Sequence, residues 1–161
     1  MIKRGIVTAV LVSLVMLAPR PASAQQAAVA DEIKKQADRF IATFVAHDID
    51  QFVNLFTNDA DFWYIDGGNN YPDRAALRKA ATGFFGSIKN FSGTWTTSKT
   101  LVLSPDGGVF TGIMKIQAAD TTGKAIWPTG KVWTLAYQRR GGQWLIVQAH
   151  EATVPAPRPA R

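Results

Sequence analysis

Cysteine is absent from this sequence of 161 residues, and histidine occurs only twice, at His47 and His150. Without cysteine there is no disulfide, no thiolate nucleophile and no cysteine-ligated metal. Two histidines so far apart offer no recognisable ligand spacing for zinc. The absence does not exclude an exported protein, because a core of this size needs no covalent cross-link.

Motifs for nucleotide binding and covalent catalysis are also missing. The pair Gly67-Gly68 lacks the lysine of a phosphate-binding loop, and no glycine-rich turn leads from a strand into a helix. A Ser-His-Asp arrangement cannot be argued from residue order alone. We therefore expect neither a bound cofactor nor a metal.

The excess of basic over acidic residues is smaller once the N-terminal leader is set aside. There are 18 Lys and Arg against 12 Asp and Glu, a formal charge of +6. Lys3, Arg4 and Arg20 lie in an N-terminal leader, which leaves 15 basic residues and a charge of +3. No basic stripe is interleaved with aromatic residues, as nucleic-acid binding would require. We expect no nucleic-acid partner.

Residues 1–24 have the parts of a secretory signal peptide. A positive start is followed by an apolar run over residues 6–18, and Ala22-Ser23-Ala24 fits the cleavage rule. The alternative is an uncleaved anchor, but the apolar run is shorter than the ~20 residues that span a bilayer. The pattern predicts cleavage after Ala24 and no stable membrane anchoring afterwards. We expect an exported protein, periplasmic or secreted.

The remaining chain suits one domain, residues 25–153, followed by a flexible Pro- and Arg-rich tail, residues 154–161. Apolar residues at helical spacing predict amphipathic helices over about 28–47, 48–56 and 72–85. Asp48, with Gln51 three residues later, resembles a capping box at the start of the second helix.

Strand-like patterns fill the rest of the domain. A first strand is predicted over 60–66, followed by a loop over 67–70. Three further strands are predicted over about 95–103, 109–118 and 124–139, separated by turns of the expected composition. Helices grouped before an antiparallel run of strands indicate an α+β layered domain.

The last strand follows a tight Gly141-Gly142 turn and is apolar on both faces near its start. Alternation places Trp144, Ile146, Gln148 and His150 on one face, with Leu145 and Val147 on the other. A sheet that is open to solvent on one side would alternate apolar with polar residues. We therefore expect both faces to be covered, one by helices and one by another subunit or a loop.

This order of elements resembles the NTF2-like superfamily, most closely its SnoaL-like and DUF4440-type members. Residues 41–66 are similar to the family's helix, acidic-led short helix and Asp-Ala strand entry, here Asp59-Ala60. Residues 139–150 are similar to its closing hairpin, whose sequence pattern is a basic residue, Gly, Trp, a branched residue and then His. The resemblance covers about residues 28–153.

The resemblance implies a cystatin-like cone, in which three N-terminal helices pack on a curved mixed or antiparallel sheet around a pocket. It also implies a homodimer formed through the outer sheet face, and the two-sided apolar character of the last strand independently agrees with this. Members include isomerases, dehydratases and non-enzymes, so the fold does not settle the function.

Three residues are candidates for acid–base chemistry. Asp66 ends the first strand on the same face as Tyr64, near where the ketosteroid isomerase branch of the family has a catalytic aspartate. Its carboxylate could act as a base in an apolar pocket, His150 could be its partner, and Tyr64 could donate to an oxyanion. The alternatives are a loop-capping role for Asp66 and a structural role for His150.

Aromatic side chains are the candidates for the wall of a ligand pocket, because they bind flat apolar molecules well. Each could equally be ordinary core or interface. The candidates are Phe62, Tyr64, Phe84, Trp95, Trp127 and Trp133.

Three functions stay open on this reading. The first is binding of a small, largely apolar molecule in a conical pocket. The second is cofactor-free acid–base catalysis, such as isomerisation, dehydration or hydrolysis, by Asp66 and His150. The third is a protein-interaction module. Catalysis requires at least two polar groups that converge in one pocket.

Overall fold

The computed structural model of this protein describes residues 22–127 and 129–155. Most of the predicted signal peptide and residues 156–161 of the predicted tail lie outside these ranges. Residues 22–24 form the start of the first helix. Among the helices in the described part of the chain, none combines the length and the apolar character needed to cross a bilayer.

The helices follow the amphipathic patterns closely. The three helices are α1 (Ala22–Ala46), α2 (Ile49–Asn54) and α3 (Arg74–Ser87). Asp48 caps α2, since it accepts hydrogen bonds from the Gln51 backbone and side chain at 2.9 and 2.7 Å. The reciprocal bond of a capping box is not formed, because the Asp48 amide donates to the Thr43 carbonyl instead. Asp73 caps α3 by accepting from the Ala76 amide at 2.8 Å. Each cap satisfies a backbone donor that the helix itself cannot satisfy.

Six strands form one mixed sheet in the order β2-β1-β6-β5-β4-β3. The strands are β1 (Trp63–Asp66), β2 (Asn69–Tyr71), β3 (Ile88–Ser104), β4 (Gly107–Asp120), β5 (Lys131–Arg140) and β6 (Gln143–Thr153). Strand β1 runs parallel to β6, whereas the other pairs are antiparallel. The described sheet keeps two edges, β2 and β3, and is not closed into a barrel. The predicted α+β class is confirmed.

The helices cover one face of the sheet. Helix α1 packs on β3 and β4, and α2 and α3 pack against each other. Phe40 and Phe44 of α1 meet the buried Trp133 of β5, with ring centroids 5.8 and 6.3 Å apart. Burial of aromatic side chains of this size contributes roughly 1.5–3 kcal/mol each. This aromatic layer holds the helices against the inner face of the sheet.

One predicted strand and one predicted loop are corrected. Residues 67–70 are not simply a loop, because Asp66 pairs with Asn69 and Ile65 with Asn70 in a tight hairpin. The predicted strand over 124–139 begins only at Lys131. Lys124 to Trp127 lie outside the strand, with Ala125 forming only an isolated bridge to Ala119. A hydrogen bond from the Gly130 amide to the Trp127 carbonyl, 2.8 Å, marks a turn. Gly130 has φ +88°, which glycine adopts without strain.

The face assignment of the last strand is wrong beyond Ile146. Ala136 pairs with Gln148 but Tyr137 pairs with Ile146, so Val147 is an extra residue in β6. Such a β-bulge shifts the alternation of the residues that follow it. Trp144 and Ile146 therefore face the helices together with Ala149 and Glu151, while His150 is exposed on the other side.

Candidate functional site

Four polar side chains meet on the helix-facing side of the sheet. Tyr64 and Asp66 come from β1, Glu151 from β6 and Lys131 from the start of β5. Asp66 and Glu151 are paired in register across the parallel β1–β6 ladder. The bulge at Val147 brings Glu151, and not His150, to this place.

Glu151 is the centre of the cluster. Its Oε1 atom accepts a hydrogen bond from Lys131 Nζ at 2.7 Å, and its Oε2 atom accepts one from the Tyr64 hydroxyl at 2.5 Å. Lys131 Nζ also donates to Asp66 Oδ1 at 3.1 Å. The ammonium group thus joins two carboxyl groups, of which Glu151 is buried and Asp66 keeps 29% of its side chain exposed.

Burial raises the pKa of Glu151 to about 7, and the neighbouring Asp66 adds to this, although the Lys131 ammonium lowers it. The carboxyl group is therefore near half-protonation at neutral pH, where a group can both give and accept a proton. A buried ion pair of this kind adds little net stability by itself, because removing both charges from water is costly. Its presence points to a functional role.

Tyr64 and Lys131, which both contact Glu151, each remain in one protonation state near neutral pH. Burial, and then the Glu151 charge, raise the pKa of the Tyr64 hydroxyl well above its ordinary value, so the group stays a donor. Burial lowers the pKa of Lys131, but Glu151 and Asp66 raise it by more, and the net pKa is raised. Burial and the two carboxylates also raise the pKa of the nearby Tyr71 hydroxyl.

A small cavity opens next to this cluster, between α3 and the sheet. Its volume is about 80 Å³. Its polar wall consists of Asp66, Glu151 and the two tyrosines, Tyr64 and Tyr71. The apolar wall consists of Phe44, Phe52, Leu77, Ala80, Ala81, Phe84, Phe85 and Trp127. The cavity is smaller than the ~300–1,000 Å³ of sites for drug-sized ligands, so a ligand of a few heavy atoms fits without rearrangement.

Trp127 closes one side of the cavity from the loop between β4 and β5. Its ring stacks on Phe84 with centroids 4.9 Å apart and planes at 16°. The ammonium of Lys131 lies 4.4 Å from the centroid of the Trp127 ring, a cation–π contact. Trp127 has φ 48°, an unusual value for a bulky residue, and this backbone geometry turns the ring toward the polar cluster.

The structure brings some of the predicted site residues together and separates others. Asp66 and Tyr64 share the cavity, as expected from strand parity. His150 does not, because it lies on the opposite face of the sheet beside Trp63 and Ile65. The prediction that Asp66 and His150 act together in one pocket is therefore wrong. Tyr64 donates to Glu151 and so positions that carboxyl group, whereas it was expected to donate to an oxyanion.

The predicted aromatic residues also divide into two groups. Tyr64, Phe84 and Trp127 line the cavity. Phe62 packs on Phe56, with ring centroids 5.7 Å apart, and belongs to the core. Trp133 is fully buried and Trp95 packs against Phe110 and Trp133. Neither lies among the residues that line the cavity.

Sequence reasoning missed Lys131, Glu151 and Tyr71. Alternation that puts His150 on the face of Trp144 puts Glu151 on the opposite face, but an unmarked bulge changes the parity of β6. Lys131 was hidden inside a strand predicted to start seven residues too early. A usable signal existed, since a lysine and a glutamate each adjoin an apolar strand segment and so require partners if buried. Within residues 22–127 and 129–155, no group of three His, Asp or Glu side chains could hold a metal ion.

The model of the SnoaL-like domain matches residues 33–157. That range contains every residue of the polar cluster and of the cavity wall. No curated protein matches the chain in sequence.

Solved structures of low sequence identity share the NTF2-like fold. One is an NTF2-like superfamily protein from Salmonella enterica serovar Typhimurium, 15% identical, covering 81% of this chain and 94% of that one, with a TM-score of 0.72. A second is a proposed scytalone dehydratase from Novosphingobium aromaticivorans. It is 11% identical, the match covers 86% of this chain and 93% of that one, and the TM-score is 0.73. A third is a proposed dehydratase from Streptomyces avermitilis. It is 14% identical, the match covers 81% of this chain and 99% of that one, and the TM-score is 0.71.

Proposed function

Because the chain belongs to the SnoaL-like domain family, we propose that it binds a small, largely apolar molecule in the cavity beside Glu151. One observation carries this proposal: aromatic walls enclose a space whose polar side presents two carboxyl groups, Asp66 and Glu151. Apolar cavities with a few convergent polar groups are the usual form of small-molecule sites. The apolar wall would supply affinity and the polar cluster would orient the ligand.

A fragment screen with a blocked cavity tests this proposal. Ala80 lines the cavity from α3, so the variant Ala80→Phe should fill it. Ala75 lies exposed on the same helix, and Ala75→Phe makes the same chemical change away from the cavity. Fragments of about three to five heavy atoms should bind the wild type and Ala75→Phe but not Ala80→Phe. Fragments that bind all three proteins equally, or no binding at all, would contradict the proposal.

A second candidate function is proton transfer on the bound molecule. It is favoured by the raised pKa of Glu151, about 7, and by the convergence of Glu151, Asp66 and Tyr64. The Glu151 carboxylate would take a proton from a carbon next to a carbonyl group and return a proton to the resulting enolate, with Tyr64 holding the carboxylate in place. The names of two structural neighbours, both proposed dehydratases, agree with acid–base chemistry.

Deuterium exchange tests this candidate without a known substrate. A small ketone such as butanone, incubated with the protein in D₂O, should gain deuterium next to its carbonyl faster than in buffer alone. The variant Glu151→Gln should lose this rate, because an amide cannot act as the base. His150→Gln, one residue away on the other face, should keep it. Equal exchange by Glu151→Gln and the wild type would contradict this role.

We propose a homodimer through the outer sheet face. Trp63 and Ile113 are 50% and 41% exposed, and Trp63 borders an apolar hollow with Ile65, Val109 and Ala136. Burying such a patch against a second copy would remove apolar surface from water.

We propose that residues 1–24 direct export and are then removed. In α1 the first core residue is Val29, so cleavage after Ala24 would leave the packed part of the helix intact. Intact-mass analysis of the exported protein should give a chain that begins at Gln25. A full-length chain retained in the cytoplasm would contradict this proposal.

A further inference from the structure

The charged groups that face the cavity are both carboxyl groups. Among its described lining residues, Asp66 and Glu151 are the charged ones, whereas Lys131 does not reach the cavity wall. Lys131 Nζ lies behind them, 3.1 Å from Asp66 and 2.7 Å from Glu151, and can balance only one negative charge. When both carboxyl groups are ionised, the polar wall carries a surplus negative charge.

The rest of the wall is also suited to a cation. Phe44, Phe52, Phe84, Phe85 and Trp127 surround the space with aromatic rings. The faces of such rings carry partial negative charge and attract ammonium groups. An anion would meet repulsion from the carboxyl groups and no compensating attraction from the rings.

Lys131 shows, within the same molecule, how this site holds an ammonium group. Its Nζ atom lies 4.4 Å from the centre of the Trp127 ring while it donates hydrogen bonds to both carboxyl groups. Asp66 has capacity for another donor. Its Oδ1 atom accepts from Lys131, and 29% of the side chain stays exposed.

We propose that the ligand of this cavity is a small organic ammonium ion, held by the Asp66 carboxylate and the surrounding aromatic rings. This inference rests on the proposed binding function and specifies its ligand class. The cavity, about 80 Å³, is about half the ~150 Å³ space that accommodates a benzene ring. Alkylamines of about four or five heavy atoms therefore fit best.

A series of three compounds of one shape separates charge from size. Isobutylammonium, isobutanol and isobutyrate share a branched four-carbon skeleton and carry a positive, a neutral and a negative polar end. Each is titrated into the purified protein at pH 8, where Glu151 is ionised, and binding is followed by the indole N–H signal of Trp127 in NMR spectra. Isobutylammonium should bind at least about ten-fold more tightly than isobutanol, and isobutyrate more weakly than both.

Two variants locate the source of the preference. Asp66→Asn keeps the shape of the side chain but removes its charge, and should reduce the affinity for isobutylammonium to about that for isobutanol. Asp50→Asn removes a charge from α2 at a side chain that is 78% exposed and outside the cavity, and should keep the preference. A preference retained in Asp66→Asn would overturn the role of Asp66.

The outcomes distinguish this inference from the function on which it rests. If isobutanol or isobutyrate binds as tightly as isobutylammonium, the cavity binds small molecules but the ammonium class is wrong. If none of the three compounds moves the Trp127 signal, while the outer face also stays unchanged, both the ammonium class and the proposed binding function fail.

Discussion

Lys131 and Glu151, on neighbouring strands, form an ion pair with 2.7 Å between Nζ and Oε1 and with only 5% and 3% of their side chains exposed. Neither charge has access to bulk water, so each depends on the other and on Asp66 and Tyr64. The cavity next to this pair is small and aromatic. This arrangement links the stability of the fold to the chemistry of the site.

Removal of the ammonium group should destabilise the protein strongly. In Lys131→Met, Glu151 and Asp66 lose their shared cation, and breaking a buried pair in this way typically costs about 3–5 kcal/mol. The free energy of unfolding is measured by urea denaturation. Lys34→Met is the control, because the Lys34–Asp38 pair is about half exposed on both sides and such pairs contribute roughly 0–1 kcal/mol. Equal losses in the two variants would show that the Lys131 pair is not buried.

The stability of the protein should fall as the pH rises from 5 to 8. Glu151 has a pKa of about 7 in the native state, against 4.5 in a free side chain. Between these values the native protein binds more protons than the unfolded chain, so rising pH favours unfolding. The effect is on the order of 1–3 kcal/mol. The other groups that face Glu151 are Tyr64, Asp66 and Lys131, of which Tyr64 and Lys131 have raised pKa values and titrate far above this range.

The variant Glu151→Gln isolates this contribution. Its side chain at this position does not titrate. As the pH rises, the unfolding free energy of the wild type should therefore fall more than that of the variant. Urea denaturation at several pH values gives this difference. A difference that stays constant from pH 5 to 8 would mean that the pKa of Glu151 is not raised.

The turn that carries Trp127 should depend on Gly130. A Cβ atom at this position would come within 2.3 Å of the Met114 carbonyl oxygen, and φ is +88°. Gly123 has a similar φ of +89° but open space around it. Both alanine variants therefore bear the backbone strain, of about 1–3 kcal/mol, and only Gly130→Ala adds a steric clash. Thermal denaturation should show a clearly larger loss for Gly130→Ala, and equal losses would contradict the tight turn.

The outer face of the sheet should mediate self-association. Light scattering at micromolar concentration should give a dimer for the wild type and a monomer for Trp63→Lys, because lysine would place a charge in an apolar interface. Val45→Lys is a matched control on α1, where Val45 is 54% exposed away from the sheet. A wild-type monomer, or a dimer that persists in Trp63→Lys, would rule out this face.

Helical periodicity was enough to predict the three helices and the buried stripe of α1. Ile33, Ala37, Phe40 and Phe44 form the buried stripe of α1 as their spacing requires. The first strand also obeys alternation, which is why Tyr64 and Asp66 were correctly expected on one face. These elements were predictable because local spacing alone determines which side chains share a surface.

The centre of the site was not predictable from the sequence in this way. Alternation in β6 fails at Val147, where a bulge exchanges the faces of His150 and Glu151. No glycine or proline marks that position, because the bulge follows from pairing with β5. Similarly, nothing local indicates that β5 begins only at Lys131, so that Trp127 precedes it beside the cavity. Both features depend on contacts between distant parts of the chain.

The most direct test of the account compares two tryptophan signals in one NMR titration. Trp127 lines the inner cavity and Trp63 lies on the outer face of the sheet. When the tightest-binding fragment is added, we expect the indole N–H signal of Trp127 to shift in a saturable manner while that of Trp63 stays in place. A saturable shift of Trp63 with no change at Trp127 would contradict a ligand site beside Glu151.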